Sequence, residues 1–283
     1  MPRRNCLCLL FSALALIGSM ADRAWAADNA ALIGVWQEVS NYLSPEALLT
    51  FKDLPEAKPG AEQRERAFCA AVVQLDQQPL SETRLDEVEA RLEALLVANQ
   101  RDAIDSAARY LLGRIAQIYR VEPDVAKAAG YYRDLVERAG PGHWVDLARV
   151  KLAVLDLYAL PEANPAERIA RAEALIPGTT DPLAVRDLHR LVGRAMMFYN
   201  WPPAQALSHL LAADAIGGLT GTLGADQLVQ IGELAWDTGD AALAKNYYDR
   251  LREEFPRDPR IFLMEQRLAG NPVPERSPRF HGR

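Results

Sequence analysis

The sequence predicts an all-α protein built from stacked antiparallel helix pairs, and three observations predict it. Apolar residues return every three or four positions along most of the chain, and alternating strand patterns are absent. Helix starts are legible, because Ser44-Pro45, Asn164-Pro165, Asp181-Pro182 and Asp258-Pro259 each place a capping side chain before a proline suited to the first turn. Two distant stretches also share one spacing of small, aromatic and breaker residues. The first is Leu112-x2-Ile115-Ala116-x2-Tyr119, then Ala128-x3-Tyr132-x2-Leu135 and Gly140-Pro141. The second is Leu228-x2-Ile231-Gly232-x2-Ala235, then Ala244-x3-Tyr248-x2-Leu251 and Pro256. Gly232 and Ala244 are small where two helices would touch, Tyr248 fills the space beside them, and Pro256 ends the second helix. Gly239-Asp240 supplies the turn, with Asp240 placed to cap the second helix of the pair.

At the start of the chain, Arg3 and Arg4 precede the apolar run Cys6 to Ile17, and Ala24-Trp25-Ala26 comes next. This order of charged, apolar and small residues predicts a signal peptide over 1–26, cleaved after Ala26, and a periplasmic or secreted mature chain. The apolar core is short for a membrane span, so no integral span is expected after cleavage; a retained N-terminal anchor is the alternative. Removing the leader takes away Arg3, Arg4 and Arg23 against Asp22, making a chain of net charge −6 more acidic still. Nucleic acid is thereby excluded as an expected partner, since binding it needs a basic face. Cys69 becomes the only cysteine. An intrachain disulfide is then impossible, and Phe68-Cys69-Ala70-Ala71-Val72 suits apolar packing better than a catalytic thiol.

Residues 27–61 predict N-terminal helices and a linker, with Ile33, Trp36, Val39 and Leu43 on one helix and Pro55 and Pro59 in the linker. A helical domain then covers 62–269. Its first pair, 62–98, carries Phe68, Ala71, Val72 and Leu75 on one helix and Leu85, Val88, Leu92 and Leu95 on the next, with extra residues in the turn near Pro79. The charged run Arg84 to Glu93 is the expected wet face of that second helix. Pairs at 109–142, 143–177, 181–216 and 225–258 come after it, and Arg260 to Leu268 is a lone capping helix, which a stacked array needs to cover its last apolar face. Gly140, Gly178, Gly217 and Gly270 are the expected stops. Residues 270–283 read as a disordered tail rich in proline and arginine.

The two matched stretches resemble tetratricopeptide repeats, units of about 34 residues. The ending Tyr247-Tyr248-x-x-Leu251-x-x-x-Phe255-Pro256 resembles the repeats of exported bacterial envelope proteins. The resemblance implies an α-solenoid, a right-handed superhelix of helix pairs whose first helices line a concave groove. Carried onto this sequence, the groove positions are Tyr110, Gln117 and Arg120; Arg186, His189 and Met196; and Asp226, Val229, Glu233, Trp236 and Asp237. The lysine and asparagine clamp that some members use for a terminal carboxylate is not matched, since Gly113 and Gln117 stand there. At Asp156 the 143–177 pair departs from the family, which would place an aromatic.

Little in the sequence suggests catalysis. His143, His189, His209 and His281 are scattered, no metal-ligand spacing occurs, and no cofactor is expected. The glycines at 217, 218, 221 and 224 lack the strand that a phosphate cradle requires and read as a joint. The expectation is a non-enzymatic, exported scaffold that binds a protein or peptide partner in the periplasm or cell envelope. The alternative is a small-molecule or polysaccharide binder of an envelope transport system, using an apolar pocket lined by Trp236, Met196 and Met197. On the last full pair, Asp226, Glu233 and Asp237 beside Trp236 predict a partner segment with a basic residue next to an apolar one.

Overall fold

The computed structural model describes residues 30–97, 99–161, 164–271 and 273. The expected leader and most of the expected tail lie outside these residues. The described chain is all-α, without a strand, and none of its helices is long and apolar enough to cross a membrane. It divides into two compact units that meet in sequence between Arg138 and Ala139.

In the first unit a short 3-10 turn, Ala30–Leu32, leads into α1 (Ile33–Ser40), α2 (Ser44–Lys52), α3 (Ala61–Asp76), α4 (Glu82–Leu96), α5 (Ala103–Arg114) and α6 (Val125–Arg138). The expected pairs form: α1 packs on α2, α3 on α4 and α5 on α6. Leu43 falls between helices and is exposed, because α1 stops at Ser40. Ser44 is not a cap; it opens α2 itself, and its hydroxyl donates to Asp76 of α3. The spacing predicts a plain helix through Tyr119, but Ile115–Tyr119 is a π-helical turn continuing α5. Arg64 of α3 ties this unit together. Its guanidinium donates to the Leu95 carbonyl at 2.6 Å and pairs with Asp102, 3.2 Å away, and with Asp105. Cys69 is buried and free, and burial pushes its thiol well above the usual range, as apolar packing requires.

The charged run on α4 is more than a wet face. Glu89 is buried and pairs with Arg120 and Lys127, while Glu82 and Asp86 also bind Arg120, at 2.8 and 2.6 Å.

The second unit holds α7 (His143–Tyr158), α8 (Pro165–Glu173), α9 (Pro182–Phe198), α10 (Pro203–Ile216), α11 (Gly221–Asp237), α12 (Ala241–Glu254) and α13 (Arg260–Leu268). Here α7 pairs with α8, α9 with α10 and α11 with α12; α9 also packs on α7 and α8, α10 on α11, and α13 on α12. Their shared core includes Leu157, Ile169, Leu188, Leu210, Ile231 and Tyr248. Asn164, Asp181 and Asp240 cap as expected, accepting from backbone N–H groups at 3.0, 2.8 and 2.9 Å. Asp258 accepts from the Arg260 N–H at 2.9 Å. Buried Asp146 of α7 fastens the turn into α9, accepting from Thr180 Oγ1 at 2.7 Å and the Asp181 N–H at 2.9 Å. Gly217 and Gly270 end their helices with φ of 76° and 73°, whereas Gly140 and Gly178 do not adopt the left-handed region. Gly178 instead presents its carbonyl to Arg149.

The matched tyrosines occupy the same place in the two units. Tyr132 and Tyr248 are both buried, and each hydroxyl donates to a side chain fifteen residues earlier: Gln117 at 2.9 Å and Glu233 at 2.7 Å. Each ring lies on a glycine of the preceding helix. A Cβ on Gly232 would come within 2.5 Å of Tyr248 Cε1, and one on Gly113 would overlap the Tyr132 ring. Gly113 lies three residues before Ala116, the residue that corresponds to Gly232 in the shared spacing, and it precedes the π-helical turn.

Candidate binding surface

The predicted groove residues divide between the units. In the first, Tyr110 is 3% exposed and packs against the Tyr132 ring with centroids 6.0 Å apart; burial pushes its phenol up to about 12. Gln117 accepts from Tyr132 and, at 3.2 Å, from Arg114, and Arg120 is held by three carboxylates of α4. These side chains stabilise the fold and leave little polar capacity for a partner.

In the second unit, α11 carries Asp226, Val229, Glu233, Trp236 and Asp237. Its acids meet the capping helix: Asp226 lies 2.6 Å from Arg260, and Glu233 pairs with Arg267. The Arg267 guanidinium also stands over Trp236, 5.9 Å from the ring centre. Val229 and Trp236 are half-buried against the core, and Asp237 is exposed. Two of the three carboxylates expected to draw a basic partner are therefore matched by arginines of this chain.

On α9, Met196 is 2% exposed and belongs to the core, so it does not line a groove. Arg186 is buried, donating to the Gly217 carbonyl at 3.1 Å and to Asp187 at 3.0 Å. His189 meets His209 of α10, Nδ1 to Nδ1 at 3.0 Å, and His209 Nε2 lies 3.2 Å from Glu173 of α8. Histidines scattered in sequence thus form a chain across three helices. Burial, then the neighbouring His209, hold His189 below its ordinary range. The ring nitrogens bond one another instead of converging on a shared point. Among the described residues, no group of three or more His, Cys, Asp or Glu side chains is placed to hold a metal ion.

A different surface stands out. Arg186, Arg190, Arg194 and Phe198 recur at four-residue steps and so share one face of α9. Burial, with Arg194 and Arg186 opposing Asp187, lowers the Arg190 guanidinium below its usual range. Arg194 is exposed and pairs with no carboxylate among the described residues. The stripe ends at Phe198, which meets Tyr158 at the end of α7 edge-to-face, centroids 6.0 Å apart. Both rings face solvent, at 47% and 45% exposed, while Tyr199 behind them donates to the Leu157 carbonyl and fixes the two helix ends together.

No protein-family model and no curated protein matches the chain.

The four-residue spacing from Arg186 to Phe198 is legible on a predicted helix. Its partnership with Tyr158, forty positions away on another helix, is set by how α9 crosses α7.

Proposed function

We propose that the chain is an exported, non-enzymatic scaffold of tetratricopeptide type, holding a segment of another protein in the periplasm or cell envelope. The observation that carries this reading is the exposed Tyr158–Phe198 pair beside Arg194. Aromatic and arginine side chains are the usual anchors of interaction surfaces. The pair joins α7 and α9, the first helices of successive pairs and the helices that line the groove in the family's superhelix. With Asp226 and Glu233 matched internally, the surface favours a segment carrying an acidic residue next to an apolar one, through charge pairing and aromatic contact. The leader-like N-terminal sequence supports the envelope as the place of action.

Site-specific photocrosslinking tests the reading. A photoreactive residue at Phe198 should capture a small, reproducible set of envelope proteins through acidic segments, and one at Lys245, on the exposed side of α12, should not. Identical adducts at both positions, or none at Phe198, would remove the assignment.

A further inference from the structure

The first unit contains a cavity of about 530 Å³ where α2, α3 and α4 converge. Its apolar side comes from Leu48 and Phe51 of α2 and Ala70 and Val73 of α3. These positions are spaced three residues apart on their helices, so each helix turns one apolar face to the same space. Facing them are Lys52 at the end of α2 and Arg84 and Arg91 of α4. A volume of this size is typical of small-molecule sites, which combine apolar walls with a few polar groups that orient the ligand.

The charge pattern gives the ligand's chemistry. The chain is acidic, with 38 Asp and Glu against 32 Lys and Arg, and its arginines elsewhere are largely engaged: Arg64, Arg109, Arg120, Arg250, Arg260 and Arg267 all pair with carboxylates. Around this cavity the pattern reverses. Lys52 and Arg91 form no ion pair with any described residue, and Arg84 is held only by the backbone carbonyls of Gln77 and Pro79, at 3.4 and 3.0 Å. Glu87 is the sole carboxylate in the lining and is engaged by Gln74 at 2.6 Å. The beginning of α4 also faces the space through Ser81 and Thr83, and a helix start favours negative charge. Three cations without carboxylate partners therefore surround an apolar recess.

We infer that this cavity is a binding site for a small amphipathic carboxylate, its apolar body against Leu48, Phe51, Ala70 and Val73 and its head group among Lys52, Arg84 and Arg91. The site is separate from the segment-binding surface of the second unit and stands or falls independently of it.

Isothermal titration of the full mature chain with decanoate tests the site, with decanol and decyltrimethylammonium as probes of the same apolar length. Decanoate should bind saturably at one site per chain, and each of the other probes should bind about tenfold or more weakly. Lys52 and Arg91 are exposed, so Lys52→Glu with Arg91→Glu should keep the wild-type circular dichroism spectrum and weaken decanoate about tenfold or more. Ala70→Leu, which fills the recess and leaves the cations in place, should also abolish or strongly weaken binding. Absence of saturable decanoate binding, equal affinity for the three probes, or unchanged binding in the charge-reversed or the filled variant would each overturn the inference.

Discussion

Gly113 and Gly130 both lie within helices, yet replacing them with alanine should have opposite effects. A Cβ on Gly113 would overlap the fully buried Tyr132 ring, and one on Gly130 would meet nothing within 4 Å. Overpacking typically costs about 1–3 kcal/mol, and alanine returns up to about 1 kcal/mol of helix propensity over glycine. Gly113→Ala and Gly232→Ala should therefore lower stability in denaturant unfolding, by about 1 kcal/mol or more, whereas Gly130→Ala should raise it by up to that amount. If Gly113→Ala and Gly130→Ala shift the midpoint the same way, the tyrosine-on-glycine contact is wrong. The sequence exposed the small-and-aromatic pattern but did not single out Gly113 as the residue beneath Tyr132. In the structure the Tyr132 ring lies over Gly113, which precedes the π-helical turn at Ile115–Tyr119.

At the scale of helices, α13 is held by the acids that the sequence offered to a partner. Arg267 pairs with Glu233, and both side chains are only 15% exposed, so removing the arginine leaves a mostly buried carboxylate with one partner fewer. Arg267→Ala should cost about 1–3 kcal/mol and speed amide exchange along Arg260–Leu268 before it does so in α9 or α10. Uniform exchange with wild-type stability would show that the capping helix is held otherwise. The His189–His209–Glu173 chain couples α8, α9 and α10. His189 is held below its ordinary value of 6.5, so the unfolded chain binds more protons than the folded one between the two values. Its contribution to stability is complete above that ordinary value and is lost as pH falls through the window beneath it. His189→Asn keeps a hydrogen-bonding group toward His209 without titrating. Between about pH 7 and about pH 5, wild type should lose more stability than this variant, and parallel unfolding curves would contradict the linkage.

For the whole molecule, the envelope reading has a direct consequence. Intact-mass measurement on exported material should show a chain beginning at Ala27, and a retained leader or an acylated cysteine would contradict it. Among the described residues, Asp226 and Glu233 of α11 are matched by arginines of α13, whereas Asp249 and Glu254 of α12 pair with basic residues of their own helix.

Helix class, helix order and pairing were determined by the sequence itself, because they rest on local physics. A period of three and four, a capping aspartate before proline and a glycine in a turn act within one or two helical turns, so Asn164, Asp181 and Asp240 cap where their spacing placed them. The surface was decided only by the tertiary structure. Asp226 and Glu233 look available until Arg260 and Arg267 arrive from thirty-four residues away. Likewise, His189 meets His209, and Phe198 meets Tyr158, only once helix crossing angles are set. A side chain's charge and shape are written in the sequence. Whether they are spent within the chain or left for a partner depends on which distant side chain packing brings beside them.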